Sequence, residues 1–438
     1  MSNKLRVFEA FAGYGSQSIA LRNIGIDFEV VGISEIDKYA LIAYDAIHNK
    51  SENIAIKSKD EMLDELIKCN IGYDFKKNIS ILPKKESEIE RLYVAHKRSK
   101  NLGDISMIDA NDIPKHDLFT YSFPCQSVSV CGERKGLVKG SGTSSSLLWE
   151  CQKVIQTKKP KYLLMENVKN LISKEFKPFF DEWLLWLEEQ GYTNYWKVLN
   201  AKDYGIPQNR ERVFVVSILN NVNQYEFPSK KEMADLQSII SDEEAKCTKP
   251  KVKEAFLNEW EDIISSNKDI YQCNVSSGFQ DCKIGLKVSP TIRSNNPYTH
   301  IIDYSFPKPI KLEKTIHDLT EDDIDEKYQM SDVCIEKMKR FEPKNKDFDY
   351  NISPTITTEL SHHTGKNLSP KLCKALGTYR RITPRECGRL MGLSDDIIDK
   401  IQNEKISDSQ QYKMFGNSIV VQVIEEIFKN LFTEYTIK

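Results

Sequence analysis

Apolar positions along the chain follow two rhythms, and the switches between them mark the elements. Residues 5–12 (LRVFEAFA) are an apolar run of strand length. Gly13 and Gly15 interrupt it, and a helix is expected from Ser16 to Asn23, with Gly25 as its stop. FEVVGISEI (28–36) predicts a second strand and Lys38–His48 a second helix. Strand, helix, strand, helix is the opening of a doubly wound α/β sheet. The same texture returns in three further strand-like runs: DLFTYSF (117–123), YLLMENV (162–168) and RVFVVSIL (212–219). FFDEWLLWLEEQ (179–190) predicts an amphipathic helix ended by Gly191. Near the C-terminus, Val420, Val421, Val423, Ile424, Ile427, Phe428 and Leu431 share a helical face that would pack back on the sheet.

Two stretches break the pattern. Residues 50–102 are lysine-rich and weakly periodic; from 76 to 102 there are eight basic and three acidic residues. A solvated charged face accounts for such a run, and so does a phosphate-contacting insertion. Residues 221–375 are polar and turn-rich, with short apolar runs, and read as a separate irregular domain. SPTI occurs there at 289–292 and at 353–356, but two copies do not establish a repeat. The chain thus divides into 1–220, 221–375 and a return to the first domain over 376–438.

Composition narrows the class. With 62 Lys+Arg against 64 Asp+Glu, the 438-residue chain is not a basic nucleic-acid coat, although a local basic surface is compatible with that balance. There is no run of about 18 apolar residues, so no membrane span is expected. The N-terminus lacks a signal-peptide layout. The ten cysteines include no C-x-x-C pair, which argues against a disulfide framework or a metal site and for a reducing, cytoplasmic compartment.

Four constellations could carry chemistry. Phe11-Ala12-Gly13-Tyr14-Gly15 lies between a strand and a helix, where bare backbone can approach a ligand. Glu35 follows 20 residues after Gly15, placed to accept the ribose hydroxyls of an adenosine. Ser18 stands where a dinucleotide fingerprint has its third glycine, which favours an adenosine ligand without pyrophosphate, such as S-adenosylmethionine. An ordinary tight turn is the plainer reading of these glycines. In the second constellation a buried strand runs into Pro124-Cys125-Gln126, then a stretch punctuated by Gly132, Gly136, Gly140 and Gly142 and carrying Arg134, Lys135 and Lys139. Cys125 is a candidate nucleophile at a strand's carboxyl end, and the stretch after it a lid; a buried structural cysteine is the alternative. Third, Glu166-Asn167-Val168 places a carboxylate at another strand end, as a general acid or simply as a cap. Fourth, in Gln208-Asn209-Arg210-Glu211-Arg212, alternation in an extended segment would point Arg210 and Arg212 the same way, at an anion, a substrate oxygen or solvent.

In this order the constellations resemble the DNA cytosine-5 methyltransferases of the bacterial or phage type, over about 1–49, 101–220 and 376–438. The resemblance implies an S-adenosylmethionine-dependent, Rossmann-like doubly wound α/β catalytic domain plus a smaller, irregular target-recognition domain at 221–375. Phe11 to Gly15 would form the cofactor loop and Glu35, with Ile36, the ribose site; Gly103-Asp104-Ile105 resembles the loop whose acid meets the adenine. Pro124-Cys125-Gln126 is similar to the catalytic Pro-Cys-Gln, with Pro124 also expected at the cofactor and Ser127 in a position that varies among relatives. Leu147-Leu148-Trp149 resembles the element after the mobile loop. Arg381-Ile382-Thr383-Pro384-Arg385-Glu386-Cys387 resembles the motif that organises the recognition domain. Asn417 and Ser418 in Gly416-Asn417-Ser418 would close the cofactor site.

The implied reaction is attack of Cys125 on C6 of a flipped-out cytosine and methylation at C5, with S-adenosylhomocysteine as product. Glu166 would act at N3, Asn167 and Arg212 would position it, Arg210 would hold the base oxygen and Gln126 the loop. Gln208, Thr355, Arg134 and Lys135 are the expected DNA contacts. The implied partner is double-stranded DNA, with a cognate restriction endonuclease acting independently where the enzyme is one of a pair; one chain carries every part, so a monomer is expected. An RNA cytosine-5 methyltransferase of the same family would keep these catalytic residues, but the chain lacks the Cys-Phe-Thr signature of the tRNA-directed members. An inert DNA-binding relative is disfavoured by the intact Cys125, Glu166, Arg210 and Arg212.

Overall fold

The computed structural model describes residues 4–49, 53–74, 77–123, 147–221, 224–232, 234, 271–274, 283–286, 289–290, 299–302, 379–381 and 383–432. The chain divides into two compact units, one made of residues 1–243, 287–297 and 382–438, the other of 244–286 and 298–381.

In the larger unit, β1 (Leu5–Ala10) leads through the glycine turn to α1 (Ser16–Asn23), β2 (Phe28–Ser34) and α2 (Lys38–His48). Both helices have the expected bounds. Each strand stops two residues short of its expected end, because the chain there leaves the sheet. Phe11 sits at φ +55, a left-handed backbone that cannot extend a strand. After β2, Asp37 caps the next helix, its carboxylate accepting from the Tyr39 and Ala40 amides.

The lysine-rich insertion is an integral part of this unit. It forms α3 (Lys59–Lys68), a ribbon of β3 (Tyr73–Asp74) and β4 (Ile79–Ser80), and α4 (Glu86–Arg98). Its Met62, Leu66, Ile71, Ile89 and Leu92 share one buried cluster with Ile33, Leu41 and Tyr44. At about 1.5–3 kcal/mol per fully buried apolar side chain, that cluster anchors the insertion firmly. Several of its cations are paired at home: Arg91 with Asp45 and Glu404, Arg98 with Asp45, Lys97 with Glu65, and Lys85 with Glu88. These pairs favour a charged face over a phosphate-contacting arm.

The central sheet has the order β2-β1-β5-β6-β9-β7, where β5 is Leu118–Tyr121, β6 Tyr162–Val168, β7 Tyr192–Asn200 and β9 Glu211–Leu219. The first four strands are parallel, and β9 alone runs against its neighbours β6 and β7. It is a mixed α/β fold with a mostly parallel sheet. The edge strand β7 (YTNYWKVLN) has no clean apolar alternation, and its Trp196 is exposed. Between β7 and β9, the two-residue β8 (Gln208–Asn209) pairs with β12 (Ser289–Pro290). Helices α5 (Leu148–Lys158) and α6 (Lys177–Glu189) cover a core built on Phe119, Tyr121, Leu163, Met165 and Trp183.

After residue 382 the chain adds α7 (Pro384–Leu390), α8 (Asp395–Asn403), α9 (Asp408–Asn417) and α10 (Val421–Leu431). Thr383 and Glu386 form a capping box with Pro384 in the first turn, which is why Thr-Pro-Arg-Glu starts a helix. All seven residues of the expected terminal apolar face are buried, and α10 packs on α1. The second unit contains a four-stranded antiparallel sheet, β11-β10-β13-β14, from Lys283–Leu286, Tyr271–Asn274, Thr299–Ile302 and Tyr379–Arg381. No helix among the described residues is long and apolar enough to cross a membrane.

Candidate active site

The loop after β1 is shaped by what lies behind it. Gly15 sits at φ +82, and a Cβ there would lie 2.3 Å from Nε2 of His48. That nitrogen donates to the Tyr14 carbonyl, while Nδ1 accepts from Arg22. Burial, with the charge of Arg22, pushes the His48 imidazole down to about 3, so it stays neutral. Gly13, at φ +57, has open space where a side chain would be. The loop therefore presents bare backbone outward over a packed base.

Glu35 stands at the end of β2, next to this loop. One carboxylate oxygen accepts from the Gly13 amide at 2.7 Å, the other from the Ile36 and Asp37 amides at 2.8 and 2.7 Å. Burial and the charge of Asp37 push the carboxyl up, to about 7, against those three donors. Asn101 braces the region: its side-chain oxygen accepts from the Glu35 and Gly103 amides and its nitrogen donates to the Glu35 carbonyl. Asp104, three residues later, is buried and accepts from Asn70, the Ser106 amide and the Ser106 hydroxyl. Ile105 has its side chain in the hydrophobic core, so it can offer the site only its backbone. Open backbone at Gly13 and acids at Glu35 and Asp104 suit an adenosine-type cofactor.

Residues four hundred positions apart meet here. The Ser16 hydroxyl lies 2.7 Å from that of Ser418, the Tyr14 ring meets Phe415 edge-on, and Lys413 pairs with Asp37. Asn417 beside them is exposed.

The second half of the site is built on β6 and β9. Their register sets Val168 opposite Arg212 and Glu166 opposite Phe214, so Glu166 and Arg212 are diagonal neighbours on one face. Arg212 Nε is 3.1 Å from the Glu166 carboxylate. Glu166 is 7% exposed. Burial pushes its carboxyl above the ordinary 4.5, while Arg212, Arg210 and the Ser122 side chain pull the other way. Asn167 donates to the Phe123 carbonyl at 3.1 Å and accepts from the Val168 amide. It thereby fixes the last described residue before Pro124. Pro124, Cys125, Gln126, Arg134, Lys135 and Thr355 lie outside the described residues, as does the glycine-punctuated stretch.

Two residues expected to face a ligand are committed inward. Arg210 lines one small pocket with Arg212 and its charge reaches Glu166, but it is itself buried. It falls in the break between β8 and β9, is 3% exposed, and donates to the carbonyls of Gly416 and Ser418 at 3.0 and 2.6 Å. Gln208, expected at DNA, has no exposed surface. Its side-chain nitrogen donates to the Leu390 carbonyl at 2.7 Å, so its work is to hold α7. Polarity and spacing showed neither destination, since both partners are backbone carbonyls nearly two hundred residues or more away.

Sequence reasoning also passed over Glu9, on β1 beneath the loop. It is fully buried and accepts from Ser18 and Tyr44 at 2.9 and 2.7 Å. The one sign of it was an acid inside an apolar run.

Comparison with known proteins identifies the family. Residues 5–82 and 74–433 match the family described as C-5 cytosine-specific DNA methylase. The type II methyltransferase M2.ScrFI of Lactococcus lactis subsp. cremoris is 39% identical over 98% of this chain and 99% of its own length. The orphan methyltransferase M.SssI of Spiroplasma monobiae is 42% identical over half of this chain and 60% of its own. Among solved structures, S. pombe Dnmt2 methyltransferase superposes with a TM-score of 0.53 at 16% identity, covering 99% of this chain and all of that one, a likeness of fold. The mostly parallel sheet places the chain in the mixed α/β class, with the fold of that structure. Within that class, this chain belongs to the C-5 cytosine-specific DNA methylase family and is a DNA cytosine-5 methyltransferase.

Proposed function

We propose that the chain methylates C5 of a cytosine within one short sequence of duplex DNA, as the modification partner of a restriction endonuclease or as a solitary methylase. The observation that carries the chemical reading is the Glu166–Arg212 pair beside the Asn167 anchor on Phe123, directly before Pro124-Cys125.

C5 of cytosine is too weak a nucleophile to take a methyl group unaided. The Cys125 thiolate adds to C6, and the electron pair of the C5–C6 bond becomes available at C5. Charge gathers at N3 as this happens. A buried carboxyl whose proton is held above the ordinary range can donate there, and Arg212 orients it without releasing it to solvent. S-adenosylmethionine, when bound, supplies the methyl group and departs as S-adenosylhomocysteine. A base then takes the C5 proton, the C5–C6 double bond re-forms and the thiolate leaves. C5 and C6 lie inside the base stack, so the cytosine must be flipped out first.

The cofactor would be held by the Phe11–Gly15 backbone, by Glu35 at the ribose and by Asp104 at the adenine, with Asn417 and Ser418 closing the site. Arg210 serves the reaction from behind, by tying Gly416 and Ser418 to the strand that carries Arg212. The second unit and the cations at 134 and 135 would contact DNA, with base edges read in the major groove and phosphates held by Lys and Arg.

The test is base-resolution cytosine methylation mapping of DNA from a methylation-free host that expresses the chain, with Cys125→Ser in parallel. Methylcytosine in a single sequence context, absent from the variant, is expected. Methylation that persists in Cys125→Ser rejects the mechanism, and folded, cofactor-binding protein that marks only RNA rejects the substrate.

A further inference from the structure

The lysine-rich insertion reaches the cofactor site through Asn101 near its end and through the turn that follows α3. Three contacts lock this turn in place. The Gly72 amide donates to the Ile36 carbonyl at 2.7 Å, one residue beyond Glu35. The Asp104 amide donates to the Cys69 carbonyl at 3.0 Å. Gly103 passes so close that a Cβ on it would lie 2.3 Å from the Cys69 carbonyl oxygen. The turn is therefore wedged between the end of β2 and the Gly103–Asp104 segment. Asn70 sits within it at φ +55, a left-handed conformation that Asn tolerates better than most residues. Its Nδ2 donates to one carboxylate oxygen of Asp104 at 3.0 Å. The other oxygen is taken by the Ser106 amide and hydroxyl at 2.9 and 2.8 Å.

We infer that Asn70 is a positioning residue for cofactor selection: it fixes the Asp104 carboxylate so that this group accepts from the amino group of the adenine. The inference rests on the S-adenosylmethionine reading above and adds to it a residue from the insertion. The physical basis is the geometry of an acceptor held from both sides. Ser106 and Asn70 approach different oxygens, so the carboxylate cannot rotate or swing away, and the oxygen that accepts from Asn70 keeps a lone pair free. A carboxylate fixed this way accepts from an exocyclic amine and is repelled by a carbonyl oxygen in the same place. Without Asn70, one oxygen is released and the orientation is no longer determined. The insertion then has a function that its charge did not suggest. It forms part of the adenine wall.

The experiment measures calorimetric binding of two probes to the full chain: S-adenosylhomocysteine, and S-inosylhomocysteine, in which the 6-amino group is replaced by a carbonyl. Asn70→Gly removes the amide and keeps the left-handed turn accessible. Asn70→Asp keeps the shape and sets a second carboxylate against the first. Wild type is expected to prefer the amino ligand. Asn70→Gly should weaken S-adenosylhomocysteine by about tenfold and leave the inosyl compound nearly unchanged. Asn70→Asp should weaken it further. In an Asp104→Asn background the Asn70 substitutions should have little additional effect. Equal losses for both ligands, or no loss for S-adenosylhomocysteine, overturn the role of Asn70 and leave the cofactor reading intact. A folded wild-type chain that binds neither ligand overturns the cofactor reading itself, and the inference with it.

Discussion

Glu35 illustrates how one side chain is committed to two tasks by its surroundings. Its carboxylate organises the loop through the amides of Gly13, Ile36 and Asp37, and in the proposed complex it also accepts from ribose hydroxyls. Burial and Asp37 oppose the charge that both tasks need, which places its titration at about 7. The proton is therefore gained within the working range. Cofactor affinity should fall as the pH drops through that value, because the protonated form loses an acceptor. Titration of S-adenosylhomocysteine should give binding up to about tenfold weaker at about pH 6 than at about pH 8. Glu35→Gln should bind more weakly throughout and with a flat profile. A wild-type profile as flat as that of the variant would contradict the ribose role of this acid.

At the scale of elements, Arg210 is the tie between the sheet and the C-terminal helices. It stands in the break between β8 and β9 and reaches the carbonyls that end α9. Helix ends leave carbonyls without partners, and a buried guanidinium satisfies two of them at once. Arg210→Lys keeps the charge and loses the fork, so we expect a loss of about 1.5–3 kcal/mol in chemical denaturation and weaker cofactor binding through Ser418. A variant with wild-type stability and affinity would show that α10 alone holds the segment. This tie also marks the limit of what the sequence discloses. The opening βαβα unit was legible because the glycine turn, Asp37 and the apolar rhythm all act locally. So was the face of α10, whose six apolar residues are all buried, as is Val420 just before it. The edge strand β7 was not, because a strand with one neighbour and solvent on its far side needs no apolar alternation. α3 and α4 were obscured by the charge of their outer faces, although the residues that matter, Met62, Leu66, Ile89 and Leu92, repeat at helical spacing. In the site, Glu35 and Glu166 could be picked out by their place at strand ends, and Asp104 by the resemblance of its loop to one in the family. The partners of Gln208, Arg210 and Asn70 could not, since each is decided by which distant segment folds against it.

Stability of the larger unit as a whole depends on a buried acid that no sequence motif required. Glu9 lies on an interior strand of the sheet beneath the glycine loop, and desolvation pushes its carboxyl up to about 7 despite the hydroxyls of Ser18 and Tyr44. The unfolded chain releases this proton near the ordinary 4.5. Between those values the folded chain binds the proton more tightly, so ionisation works against the fold as pH rises from about 4.5 to about 7. Neutral His48 and His116 act in the opposite sense, losing stability as pH falls below 6.5 toward their folded values of about 3 and 4. The wild-type profile therefore mixes both signs, and a difference between two proteins is needed to isolate the acid. Glu9→Gln keeps an acceptor for Tyr44 or Ser18 and cannot ionise. Its stability relative to wild type should rise with pH by as much as about 3 kcal/mol across that window, most of it between pH of about 5 and 7. Denaturant melts of both proteins at matched ionic strength would measure this. A difference that stays constant with pH would mean that Glu9 keeps its charge throughout, with the two hydroxyls sufficient to solvate it.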